Sequence, residues 1–151
     1  MPPPPTAPPG PILVCDDEAP IRQIVASKLR GAGYIIYEAR NGLEAYAYVD
    51  PTVLPAGSSL KIAQPVIPSL VLTDLQMPMM SGLELAIKLR DNPLTAQMPV
   101  VMLTARGYVL TRDQLAMTNI KHLMPKPFGV KQLLDLVVQI VGHAKPEAAA
   151  A

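Results

Sequence analysis

Short apolar runs in this chain end, one after another, in residues that can handle charge. Ile12-Leu13-Val14-Cys15 ends in Asp16-Asp17-Glu18, and Leu70-Val71-Leu72-Thr73 ends in Asp74. Val100-Val101-Met102-Leu103 leads to Thr104, and the run from Ile120 to Met124 leads to Lys126. Carboxylates gathered in one cleft repel, and each would have a raised pKa unless a cation joins them. Mg²⁺ suits such a group, because it prefers hard oxygen ligands and keeps sites for water and phosphate oxygens. A lysine facing the acids supplies a mobile point charge, and a threonine hydroxyl can bond a phosphoryl oxygen. Acid pair, nucleophilic Asp74, hydroxyl and lysine together form a kit for moving a phosphoryl group onto a carboxylate. Taken singly, each has a plainer reading. Asp74 caps a turn, Asp16-Asp17-Glu18 complements a helix dipole, and Lys126 is a solvated loop residue.

The elements that carry these residues decide between the readings. Apolar runs bounded by Pro, Gly and Asp predict strands buried on both faces of a parallel sheet. They fall at 12–15, 34–38, 69–73, 99–103 and 120–124. Pro20 fits the first turn of a helix, and Ile21, Ile24, Val25 and Leu29 give it one apolar face before Gly31 and Gly33. Asn41-Gly42 opens a second helix to about Val49. Ser81-Gly82-Leu83-Glu84 opens a third, with Leu83, Ile87 and Leu89-Arg90 as its face. Thr111-Arg112-Asp113-Gln114 matches a capping box before a short fourth helix. Val130, Leu133, Leu134, Val137, Val138 and Val141 line the last helix. Strands alternating with helices predict right-handed crossovers and an α/β fold. The expected architecture is a doubly wound, five-stranded parallel sheet in the flavodoxin-like order 2-1-3-4-5, with five helices. In that order the ends of strands 1, 3, 4 and 5 meet at the switch point, where open sheets place their ligand sites.

Residues 50–69 form an unusually long connection, interrupted by Pro51, Pro55, Pro65 and Pro68. Mostly irregular structure is expected there, with room for a strand or helical turn at 60–62. Seven of the first eleven residues are proline, which predicts an extended tail over 1–10. A second tail is expected at 143–151, leaving one domain at 11–142. The 151 residues are half apolar and carry a formal net charge of +1. No Lys/Arg cluster stands out, so a nucleic-acid partner is not expected. A single cysteine precludes an internal disulfide framework and fits a reduced, cytoplasmic setting. No apolar stretch approaches the ~18 residues of a membrane span.

The chain resembles the receiver domains of two-component response regulators. The resemblance rests on Asp16-Asp17, Asp74 in Asp-Leu-Gln-Met-Pro-Met-Met-Ser-Gly, Thr104-Ala105 and Lys126-Pro127-Phe128, and it covers about 11–142. It implies that Asp74 is the phosphoacceptor, and that Asp17, Asp74 and the Gln76 backbone carbonyl hold Mg²⁺. Asp16 would act as a ligand or through a water, Thr104 as the switch hydroxyl, and Lys126 as the partner of the phosphoryl group. It also implies a cis Lys126–Pro127 bond, and a histidine kinase or histidine phosphotransfer protein as donor. With only a tail expected after Gly142, the expected unit is a stand-alone receiver that signals through a downstream protein. The face of the fourth helix, fifth strand and last helix would serve that partner or a homodimer, with Tyr108 as a moving aromatic. Enzymatic activity would be limited to its own phosphorylation and dephosphorylation. Two rivals are an aspartyl phosphatase, which would want an acid where Gln76 stands, and a pseudo-receiver that binds partners unphosphorylated. Departures from the family pattern are the 50–69 loop, Leu123 in place of an aromatic, and Asn119 in place of a left-handed glycine.

Overall fold

A computed structural model of the chain describes residues 9–105 and 109–144. Residues 1–8, most of the proline-rich tail, lie outside that description, as do 145–151 and Tyr108. The strands are β1 (Ile12–Cys15), β2 (Ile36–Ala39), β3 (Leu70–Asp74), β4 (Val100–Ala105) and β5 (Ile120–Lys126). The helices are α1 (Ala19–Gly31), α2 (Gly42–Val49), α3 (Gly82–Asp91), α4 (Arg112–Ala116) and α5 (Val130–Val141). All strand pairs are parallel, in the order β2-β1-β3-β4-β5. The predicted fold class is the observed one.

Alternation along the strands divides the core into two layers. Leu13, Cys15, Val71, Val100 and Met102 pack with Ala45 and Tyr48 of α2 and Leu85 and Leu89 of α3. Ile12, Val14, Leu70, Leu72, Val101 and Leu103 pack with Val25 and Leu29 of α1 and Leu133 and Val137 of α5. Both strand faces are apolar because each is covered by helices, which is why the strands read as continuous runs rather than alternating ones.

Helix boundaries agree with their chemical signals. Asn41 caps α2 by accepting the Glu44 N–H, and Ser81 with Glu84 forms a full capping box on α3. Thr111 with Gln114 does the same for α4. Two helix faces are rotated from the expected ones. In α1 the buried stripe is Val25, Ala26 and Leu29, while Ile24 is 56% exposed. The 3.6-residue period places Arg22 on that inward stripe, three residues before Val25. In α3 the buried positions are Leu85, Ala86 and Leu89, with Leu83 and Ile87 only half-buried.

Other differences have local causes. In the 50–69 connection the one turn of helix is a 3₁₀ segment at Pro51–Val53, capped by Asp50, rather than anything regular at 60–62. Leu60, Ile62 and Val66 pack on the α2–α3 layer, and the Val66 N–H bonds the Tyr48 carbonyl. Asn119 is not left-handed. Its amide instead accepts from Arg90 at 2.8 Å and donates to the Ala96 carbonyl, which ties α3 to the start of β5. The Lys126–Pro127 bond is cis, as the resemblance implied. Among the described residues, the one non-glycine with positive φ is Met79, at 69°. Its side chain is 71% exposed, and its sulfur makes only a long 3.7 Å contact with Asn41 Nδ2, which offsets little of the steric cost of that backbone. Asn adopts this conformation more readily than other L-residues. Met79→Asn is therefore expected to stabilise the fold by about 0.5–1 kcal/mol. Thermal melting should rise by roughly 2 °C; a fall would contradict the strain assignment.

Candidate functional site

The site is built where β1, β3, β4 and β5 end. One register step beyond the Cys15–Thr73 pair come Asp16 and Asp74. Both continue the parity of the residues that face α1 and α5. Asp16 is fully buried and Asp74 nearly so. Their neighbours Asp17 and Glu18 are exposed at the rim, and one carboxylate oxygen from each of the four acids lies within 4.8 Å of the others.

Lys126 reaches this group because β5 contains a bulge. Val100 pairs with Ile120, but Val101 pairs with His122, so one extra residue enters β5 there. A one-residue shift moves every later side chain to the opposite face. Ile120 accordingly packs in the α2–α3 layer, while Met124 packs in the α1–α5 layer. Lys126, paired with Ala105, follows Met124 onto the face of Asp16 and Asp74. Its Nζ lies 3.0 Å from Asp16 Oδ2, 3.4 Å from Asp74 Oδ1 and 4.0 Å from Glu18 Oε1.

The acids are held by the backbone around them. Asp16 Oδ1 accepts the Glu18 N–H at 2.9 Å, and Asp74 Oδ1 accepts the Leu75 N–H at 2.8 Å. Gly82 lies against the backbone of β3, where a Cβ would come within 2.1 Å of the Asp74 carbonyl oxygen. Its N–H donates to the Leu75 carbonyl, closing the turn that follows Asp74. Thr104 is buried, and its hydroxyl faces the Ala105 carbonyl at 3.4 Å. A cavity of about 710 Å³ opens over these groups, bordered by Asp17, Asp74, Gln76, Thr104 and Lys126 on its polar side. Ile21, Ile24 and Phe128 form part of its apolar side.

Electrostatics follow from this packing. Burial pushes the Asp74 carboxyl above its ordinary value; Lys126 pulls it back and Asp16 pushes it further up. Burial lowers Lys126, but the hydrogen bond and charge of Asp16, with Asp74 and Glu18, outweigh that and leave it raised. Every sequence-predicted side chain of the site is therefore gathered in one place. Arg22 was missed, although its guanidinium donates to the Asp16 carbonyl at 2.8 Å. Its one sequence signal is its place three residues before Val25 on the inward stripe of α1, where the more apolar Ile24 competes for the same face.

The sequence matches the model of the response regulator receiver domain over residues 12–138. The chain belongs to this family. It is 33% identical over 135 residues to the phosphate regulon transcriptional regulatory protein PhoB of Pseudomonas aeruginosa, covering 89% of this chain and 53% of that protein. It is also 33% identical over 121 residues to histidine kinase P4 of Formosa agariphila, covering 80% of this chain and 8% of that one. The chain thus spans about half the length of the first of these relatives and a small part of the second. Among solved structures, the chemotaxis response regulator CheY4 of Vibrio cholerae superposes with a TM-score of 0.71 at 26% identity. That match covers 87% of this chain and 98% of the other. The protein is thus a receiver domain of two-component signalling, with an acidic cluster suited to a metal ion. Among the described residues, no helix is long and apolar enough to cross a membrane.

The raised pKa of Asp74 has a consequence for stability. The folded receiver binds a proton at Asp74 more readily than the unfolded chain does, so ionisation destabilises the fold as pH rises above the ordinary value of about 3.9. Asp74→Asn is expected to raise the melting temperature at neutral pH in chelator-treated buffer. The gain should shrink as pH falls from the raised folded-state value toward the ordinary one, and be gone below it. A variant that melts lower than the parent at pH 7 would refute the assignment.

Proposed function

We propose that the receiver takes a phosphoryl group onto Asp74 from a histidine kinase or histidine phosphotransfer protein, with Mg²⁺ bound among the acids. The observation that carries this reading is the placement of Asp74 at the end of the central strand. There it lies 3.4 Å from Lys126 Nζ, within a cluster of four acids whose oxygens are 4.8 Å or less apart. In the transfer, an Asp74 carboxylate oxygen bonds to phosphorus as the bond from phosphorus to the donor's leaving atom breaks. The leaving group departs with that electron pair. Lys126 balances the charge of the equatorial oxygens, and Thr104 offers them a hydroxyl once the group is in place.

The donor set fits a hard divalent cation. Asp16, Asp17, Asp74 and the Gln76 backbone carbonyl are the groups that would hold it, all oxygen donors. The bound cation would neutralise charge between the acids and the incoming phosphoryl group. Asp16 and Asp74 are only partly compensated by Lys126, which is the expected condition of a buried acid pair built for a further positive charge.

In this reading the unit is residues 11–142, it works in the cytoplasm, and its catalysis is confined to its own phosphorylation and dephosphorylation. Its signal leaves by protein contact. Leu115 of α4, Met117 just after it and Leu123 of β5 are 41%, 53% and 37% exposed, which supports that side of the molecule as the face for a downstream protein or a second copy.

Intact-mass measurement after incubation with a small acyl phosphate tests the central claim. The parent is expected to gain one phosphoryl group in Mg²⁺ and none in excess chelator, and Asp74→Asn to gain none in either. Equal modification of parent and variant would show that Asp74 is not the acceptor.

A further inference from the structure

We propose that Arg22 is a positioning residue for the metal-binding acids, acting by clamping the backbone carbonyl of Asp16. The inference rests on the reading of the acid cluster as a Mg²⁺ site.

Arg22 enters from the end of the first turn of α1, on the stripe that continues into Val25, Ala26 and Leu29. Its side chain is 11% exposed, so the guanidinium has left bulk water and needs oxygen acceptors. It finds two. Nη1 donates to the Asp16 carbonyl at 2.8 Å, and Nε donates to Glu38 Oε1 at 3.3 Å. Glu38 is held independently, since its other oxygen accepts Arg30 Nη1 at 2.9 Å, and Arg30 Nη2 in turn bonds the Ile36 carbonyl. The Arg22 guanidinium is thus fixed to β2 through a residue that is itself fixed.

The other end of this link lies in the site. The Asp16 N–H donates to the Ala39 carbonyl of β2 at 3.1 Å, while the Asp16 carbonyl accepts Arg22. The Asp16 side chain is held by the Glu18 N–H and Lys126. Asp17, by contrast, makes no hydrogen bond or ion pair among the described residues. The peptide joining Asp16 to Asp17 is planar, so fixing the Asp16 carbonyl also fixes the direction of the Asp17 N–Cα bond. Arg22 therefore sets where the Asp17 carboxylate begins, although it bonds only the Asp16 backbone and none of the metal-binding carboxylates. Packing alone would be served by an aliphatic stem. Two acceptors at an angle require the fork of a guanidinium, which an ammonium does not reproduce.

Calorimetric titration of the chelator-treated protein with MgCl₂ tests this, using parent, Arg22→Ala and Glu38→Gln. Removing a group that orients metal ligands weakens binding by about 10-fold or more, and that is the expected rise in Kd for Arg22→Ala. Glu38→Gln leaves the clamp on Asp16 and one oxygen for Nε while giving up the bond to Arg30, so its Kd should rise by less than that of Arg22→Ala. In acyl-phosphate reactions, Arg22→Ala should need correspondingly more Mg²⁺ for half-maximal rate yet approach the parent rate at saturation. A merely structural role would lower the plateau and leave the Mg²⁺ requirement unchanged, and that result overturns the proposal. So does Mg²⁺ binding by Arg22→Ala that matches the parent, or a loss in Glu38→Gln as large as in Arg22→Ala. Should Arg22→Ala not fold, Arg22→Lys keeps the charge and stem, and a Kd equal to the parent's would equally refute the clamp. A parent that binds no Mg²⁺ would instead overturn the reading of the cluster itself, and this inference with it.

Discussion

One ammonium group facing three carboxylates organises the functional end of this domain. Lys126 Nζ sits within 4.0 Å of oxygens from Asp16, Asp74 and Glu18, so it joins the ends of β1, β3 and β5. The interaction is not there for stability. Burying a carboxylate and an ammonium costs several kcal/mol each, and their attraction does little more than offset that. Its effect is to make a buried acid pair tolerable while leaving that pair short of full compensation. Asp74 keeps a raised pKa even with Lys126 beside it, because burial and Asp16 act against the lysine. The site is thus held in a charge state that favours a further cation.

The sheet makes that arrangement rigid. β1 and β3 are neighbouring interior strands of the sheet, and their side chains are buried on both faces. Asp16 and Asp74 lie one step past a paired register, so their separation is set by the ladder rather than by flexible loops. The turn after Asp74 is equally constrained: Gly82 lets α3 start directly against the β3 backbone, where any larger residue would collide with the Asp74 carbonyl. The site is precise because its parts sit on strand ends and in turns closed by close packing, with the α1–α5 layer behind them.

Much of this was legible in the linear sequence. Apolar runs broken by Pro and Gly mark the strands, and Asn41, Ser81 and Thr111 mark helix starts by chemistry that acts over three residues. The order of the elements, with right-handed crossovers, gathers Asp16, Asp17, Asp74, Thr104 and Lys126 at one edge of the sheet. These signals are local or topological, and neither kind needs side-chain packing to be known.

What only the tertiary structure decided concerns which way a residue faces. Ile120 and Met124 have the same parity along β5, yet they pack in opposite layers, because the bulge before His122 shifts the register. No local pattern in Ile120-Lys121-His122 announces that shift, and without it Lys126 would follow the other face, away from Asp16. The rotation of α1 is of the same kind. Ile24 and Arg22 compete for the inward stripe, and hydropathy favours the isoleucine. The arginine is nevertheless inside, because a carbonyl of β1's end and a carboxylate of β2 wait there as acceptors, and those acceptors exist only once strands and helix have packed. Period and propensity are properties of a segment; the partner that makes a buried charge acceptable belongs to the assembled fold.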